Sequence, residues 1–245
     1  KRLLTHCKPS LLIGDSSFVN RSLPFDLLEE NKGEQVVICS KRFMSRVSAR
    51  RVNRLNNLLG RPYGEGQIIT CPPLPLPQDI VSINYTYRGY GYPLGAMLTQ
   101  LNYTHGIEGC VHAVGLRPDQ RCLLVLPLSH VYSLIGSLLA PLAIGSTVII
   151  VRNPTTYNFW TAVSRYRPNV LIGVPCLYVS LLRSENSLVD DLRYVEEAIC
   201  GGSLMSIPLY EAVLHRWHLP LRQGYGLTEC LPAVINPSRG NRPET

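Results

Sequence analysis

From residue 122 onward the chain alternates short apolar runs with segments of helical period, and that alternation leaves few folds open. CLLVLP (122–127), STVIIV (146–151), NVLIGV (169–174), VEEAIC (195–200) and LRQGY (221–225) read as strands. Between them lie helical patterns at 131–143, at 156–167 up to Pro168, and at 176–184. A fourth follows Ser206, which reads as its N-cap, with Leu209, Val213 and Trp217 on one face. Strands separated by helices cannot pair as hairpins, so they predict an α/β fold with a mainly parallel sheet flanked by helices on both faces.

With 45% hydrophobic and 17% charged residues, the 245-residue chain can build a core of normal size, which excludes a disordered tail or a coiled coil. Its eight cysteines show no CxxC or Cys/His ligand spacing, which favours reduced thiols and a cytoplasmic setting over a disulfide or zinc framework. The uncharged run 131–151 is interrupted by Gly136, Pro141 and Gly145 and ends β-branched, so it reads as a helix, a turn and a strand rather than a membrane span. Residues 1–60 carry eleven Lys/Arg against five Asp/Glu. There Arg42, Arg46, Arg50 and Arg54 recur every four residues, with Met44, Val52, Leu55 and Leu59 on another side, the pattern of a helix with a basic face. Such a face leaves peripheral membrane contact open; no nucleic-acid motif accompanies it. The chain opens on Lys1 and closes on NPSRGNRPET, which reads as a piece of a longer protein. The expected organisation is an incomplete α/β subdomain over 1–80, an α/β core over 81–237, and a truncated connection over 238–245.

In open α/β sheets, ligands bind beyond the carboxyl ends of the strands. The unusual residues of this chain fall there: Ser129-His130 after the first strand, Gly173-Val174-Pro175 at the third, Gly201-Gly202-Ser203 after the fourth, and Gly224 to Glu229 at the fifth. Glycines on such a rim let backbone approach a planar ligand. The stretch QGYGLTEC (223–230) adds a ring in Tyr225, a hydroxyl in Thr228 and a hard oxygen donor in Glu229, a set suited to a base, a phosphate and magnesium. Upstream, INYTYRGYGYPLGAMLTQLNY (83–103) places Thr86, Arg88, Gly89 and Gly91 in a glycine-rich loop between a strand and a helix. Loops of that kind aim N–H groups at anions, and the helix start adds partial positive charge. No GKS or GKT follows, so this is not a Walker loop.

Taken in order, these segments resemble the N-terminal region of adenylate-forming (AMP-binding) acyl-CoA synthetases, most like the long-chain fatty acid-CoA ligases, over roughly residues 10–237. YTYRGYGYPLG (85–95) stands where that family usually reads YTSGTTGxPKG; LPLSHVYSL (126–134), GVPCLY (173–178) and GGSLM (201–205) match three further segments, and GYGLTE (224–229) matches residue for residue. The resemblance implies a two-step reaction in which a carboxylate displaces pyrophosphate from ATP to give acyl adenylate, and the thiol of coenzyme A then displaces AMP. It implies Thr228 and Glu229 as catalytic residues, with Glu229 on Mg2+. It implies Thr86, Arg88, Gly89, Gly91, Gly201, Gly202, Ser203, Gly224, Tyr225, Gly226 and Thr228 around the nucleotide, and His130, Gly173 and Val174 at the acyl pocket. The expected substrate is a fatty or other apolar carboxylic acid, and the acceptor CoA or an acyl carrier protein. A non-catalytic nucleotide- or acyl-binding module is the alternative.

Two departures qualify the resemblance. Tyr87, Arg88, Gly89 and Tyr90 stand where SGTT is usual, and Leu94 replaces the lysine. Loss of that cation removes charge-assisted bonding of about 1.5–3 kcal/mol, and Arg88 is the residue placed to restore it. The chain also stops before the family's ribose-binding Asp, its hinge and the small domain with its catalytic Lys, so this chain alone is expected to turn over weakly or not at all.

Overall fold

The computed structural model describes residues 11–14, 35–38, 52–54, 73–86, 92–184, 192–219 and 221–237. The chain forms two compact units, Lys1–Pro72 and Pro73–Thr245. In the first, β1 (Leu11–Gly14), β2 (Gln35–Ile38) and β3 (Val52–Arg54) form a parallel sheet in that order. Arg54, expected on a helix, therefore stands in a strand. β-Branched Val52 pairs with Val36 of the apolar run QVVI, and sheet pairing overrides the four-residue spacing of the arginines. Arg42, Arg46 and Arg50 lie outside the described residues.

The second unit opens with an antiparallel ribbon, β4 (Ile80–Thr86) and β5 (Leu94–Thr99), followed at once by α1 (Gln100–Val114). Thr99 caps α1: its hydroxyl accepts from Asn102 N–H while the Asn102 side chain accepts from Thr99 N–H. Gly115, at φ 77°, ends the helix in the left-handed conformation that a glycine adopts without strain.

Six strands make the main sheet, in the order β11-β10-β9-β8-β6-β7. β6 (Arg121–Leu124), β7 (Thr147–Ile150), β8 (Val170–Gly173), β9 (Glu197–Cys200) and β10 (Leu221–Leu227) are mutually parallel, as their apolar runs predict. The sequence had not indicated β11 (Leu231–Ile235), which returns antiparallel to β10. Because β7 lies on one side of β6 and β8 to β10 on the other, chain direction reverses beside β6, where α/β sheets open a crevice.

Side chains alternate across the sheet and build two cores. Leu123, Leu171, Ala198 and Leu221 face α4 (Thr156–Tyr166), α5 (Pro175–Leu182) and α6 (Ile207–Trp217). Cys122, Val170, Ile172 and Ile199 face α1 and the helical segment 131–143. That segment is α2 (Val131–Ser133), a π-helical stretch (Leu134–Leu139) and α3 (Ala140–Ala143), with Ala140 N–H donating to Ile135 O five residues back.

One buried charge ties this second face together. Arg222, 7% exposed, donates to Ala113 O (2.9 Å) and Val114 O (2.8 Å) at the end of α1, to Asn236 O (3.3 Å) just past β11, and to Glu197 Oε2 (2.7 Å) on β9. Three carbonyls and a carboxylate accept from the guanidinium, which is what allows a charge to be buried there.

Candidate active site

The parallel strands bring the segments after β6, β9 and β10 to one rim, and a cleft opens there on the α1 side of the sheet. Its cavity volume is about 50 Å3, a narrow space that opens to solvent. His130, Gly202, Gly224, Tyr225 and Gly226 line it, so five residues separated by almost a hundred positions converge, whereas Gly173, Val174, Gly201, Ser203 and Thr228 do not line it. Its floor is apolar: Cys110 and Val114 from α1, Ile172 from β8, Ile199 from β9, and Leu231 and Ile235 from β11. Burial pushes the Cys110 thiol up to about 12, so it stays a neutral, weakly polar lining group.

Several glycines are required by close approach. A Cβ on Gly201 would lie 2.9 Å from both Cζ and the hydroxyl oxygen of Tyr132 and 3.0 Å from Gly224 O. One on Gly226 would lie 2.4 Å from Leu231 O. Gly202 stands at φ 77° beside Val174, whose Cγ1 would be 3.3 Å from such an atom. Gly173 contributes its carbonyl, which accepts from the Tyr132 hydroxyl (3.1 Å) and from Gly201 N–H (3.1 Å). Gln223 Oε1 accepts from Met205 N–H (3.3 Å), tying the 201–205 loop to β10. Ser203 is exposed on that loop.

His130 caps α2: its Nδ1 accepts from Tyr132 N–H (3.2 Å), so the neutral ring carries its proton on Nε2. Tyr132 itself is the residue the sequence reading missed. Burial raises its hydroxyl far above the usual phenol range, keeping it a neutral donor to Gly173 O. A signal existed, since Tyr132 follows His130 by two in LPLSHVYSL; a period of two hid it inside a segment read as helix.

GYGLTE differs from expectation in one respect. Gly224 to Leu227 belong to β10 and pair with β11, with a bulge between Tyr225 and Gly226, and only Thr228 to Cys230 form the turn. The signature is thus a hairpin rather than an open loop, and it follows from Leu-Pro-Ala-Val-Ile (231–235) supplying a second strand. Glu229 faces a separate polar hollow lined by Asn102, His105 and Gly106 of α1 with Cys230, and this hollow shares Leu231 and Pro232 with the apolar cleft.

The glycine-rich loop also differs. Thr86 ends β4 opposite Leu94, and β5 separates the loop from α1, so no helix start borders it. The sequence reading left LGAMLT within the loop segment that precedes the helix; its pairing with INYT makes it a strand. Arg88, Gly89 and Gly91 lie outside the described residues.

The donor chemistry suits magnesium. Glu229 offers one hard carboxylate beside a polar hollow, and magnesium takes one or two carboxylates with water and phosphate oxygens. Among the described residues no three His, Cys, Asp or Glu side chains converge to cage a metal.

The AMP-binding enzyme family model matches residues 1–245, and the chain belongs to that family. It is 31% identical to a feruloyl-CoA synthase of Amycolatopsis sp. over 208 residues, covering 84% of this chain and 42% of that protein. It is 30% identical to a long-chain-fatty-acid–CoA ligase of Haemophilus influenzae over 167 residues, covering 64% of this chain and 29% of the relative. The chain thus spans less than half the length of the curated relatives it matches. The fold is that of an anthranilate CoA ligase solved with anthranoyl-AMP, at TM-score 0.80 and 20% identity over 99% of this chain and 46% of that one.

Proposed function

We propose that this chain is the nucleotide- and acid-binding part of an ATP-dependent acid–thiol ligase, which activates a carboxylate as its adenylate and passes the acyl group to coenzyme A. The observation that carries the reading is the meeting of a glycine-lined cleft, an apolar floor and a carboxylate hollow along a single hairpin. Gly202, Gly224 and Gly226 bring backbone to the cleft surface for a flat base to lie against, and Tyr225, 63% exposed, offers its ring. Thr228 at the turn donates to the α-phosphate, and Glu229 holds magnesium, which when bound neutralises charge on the phosphate oxygens. Arg88 supplies the cation that Leu94 lacks.

The acid lies over Cys110, Val114, Ile172 and Ile199 with His130 on the same lining, while Gly173 and Val174 act from behind it, through Tyr132 and Gly202. A floor of small and aliphatic groups with no charge suits an aromatic or other compact apolar acid. The feruloyl- and anthranilate-directed relatives point the same way, while the fatty-acid relative keeps an alkyl acid in the panel to be tested.

ATP–pyrophosphate exchange by the full-length protein, run across aryl and alkyl acids, tests the reading. Aryl acids are expected to stimulate exchange, Glu229→Ala to abolish it, and Arg88→Ala to raise the KM for ATP. Absence of exchange with every acid overturns the ligase assignment, and supplying CoA or an acyl carrier protein identifies the acceptor.

A further inference from the structure

Leu231 combines three features that meet nowhere else among the described residues. Its backbone stands at φ 62°, in the left-handed region that a branched side chain rarely adopts. It is nevertheless buried, at 4% exposed, with Cδ1 lying 2.7 Å from where a Cβ on Gly106 of α1 would be. Its side chain or backbone borders both the apolar cleft and the Glu229 hollow. On the other side its carbonyl presses against Gly226, where a Cβ would come within 2.4 Å.

We infer that Leu231 is a positioning residue: it pins the Thr228–Cys230 turn to α1 and forms the partition between the space for the acid and the space for the metal-bound phosphates. This rests on the ligase reading above. A strained backbone persists where its surroundings over-determine it, and here the determinant is the notch left by Gly106, into which the leucine inserts. The turn is three residues long, and Leu231 follows it directly. Whatever fixes Leu231 therefore fixes the distance of Glu229 from the cleft. A glycine at 231 would release the strain and the anchor together, whereas an alanine would keep most of the strain and lose the anchor.

The two substitutions separate stability from positioning. In the full-length protein Leu231→Gly is expected to melt above Leu231→Ala, the reverse of the usual order, because glycine tolerates a positive φ. It is nevertheless expected to be the less active in MgATP-dependent pyrophosphate exchange, by about tenfold in kcat/KM, because a glycine also frees the backbone that aims the turn, and a misplacement well under the ~1 Å that costs about a hundredfold is enough for that. Gly106→Ala, which keeps Leu231 but crowds its notch, should raise the KM for MgATP severalfold with a smaller change in kcat. Activity that follows melting temperature across the variants, or an unchanged KM in Gly106→Ala, overturns the positioning role while leaving the ligase reading intact. A wild-type protein without exchange overturns that reading and this inference with it.

Discussion

The two faces of the main sheet share the same strands and are packed in opposite ways. The face under α4, α5 and α6 is filled by rings: Phe159 meets Trp160 edge-on at 5.1 Å, Trp160 lies 6.0 Å from Trp217, and Tyr178 is fully buried. The face under α1 and 131–143 is mainly aliphatic, with Leu98, Val114, Ile135 and Ile172, and carries the small residues Gly106, Cys110, Gly136 and Ala140 along its two helical segments. Small residues on the two helical segments, Cys110 and Gly136, line the hollow into which the glycine rim opens.

The largest effect that separates the faces is expected from truncation on the filled side. Phe159→Ala should cost about 3–5 kcal/mol, the range for deleting a fully buried ring. Cys110→Ala, on the hollow side, removes one sulfur already bordering open space and should cost about 1 kcal/mol or less. Denaturant midpoints of the two variants check the contrast, and equal losses would show that the cleft face is packed as tightly as the other.

A smaller effect, felt more in function than in folding, should follow from closing the rim. Gly201→Ala drives a methyl group into the Tyr132 ring and the Gly224 carbonyl. The ring must tilt and release Gly173 O, at about 1–3 kcal/mol. Because Tyr132 lines the cleft, the KM for the acid should rise in pyrophosphate exchange along with that for ATP, while Phe159→Ala leaves both unchanged at temperatures where it remains folded.

Much of this contrast was legible in the sequence, and the illegible part has a physical reason. The strands on both faces carry apolar side chains at successive positions, so their runs read plainly, and the glycines at 201, 202, 224 and 226 marked the rim. Periodicity shows that a residue faces a core but not which partner it meets. Cys110 and Val114 were therefore unremarkable helix positions until α1 was seen to cross the cleft. Arg222 read as one charge inside a strand, because its partners, the carbonyls of 113 and 114, lie more than a hundred residues away. Strand β11 was hidden for a related reason: five residues after a turn give too short a pattern, and pairing with β10 rather than intrinsic preference makes them extended.

The smallest expected effect lies at the amino-terminal ends of the strands, away from the cleft, and tests whether that rim is purely structural. Glu196 accepts from Arg117 (2.5 Å), from Gln120 (3.3 Å) and, through its other oxygen, from Asn169 (3.3 Å), which joins the entries to β6, β8 and β9. The Arg117 hydrogen bond, aided by those amides and against the opposing effect of burial, holds the Glu196 carboxyl below its usual value near 4.5. A depressed carboxylate stabilises the fold at pH values above its unfolded pKa, and the contribution disappears as pH falls through the lower folded value. Both side chains are about half exposed, so water and salt screen the pair and the effect is small. Glu196→Gln should therefore melt slightly below wild type at pH 7, with the gap closing as the pH falls below about 4 and narrowing in high salt. Exchange kinetics should not change, because the group lies at the far ends of the strands from the glycine rim; a gap that widens in acid would reverse the assigned sign, and altered kinetics would mean that the two rims are coupled through the strands.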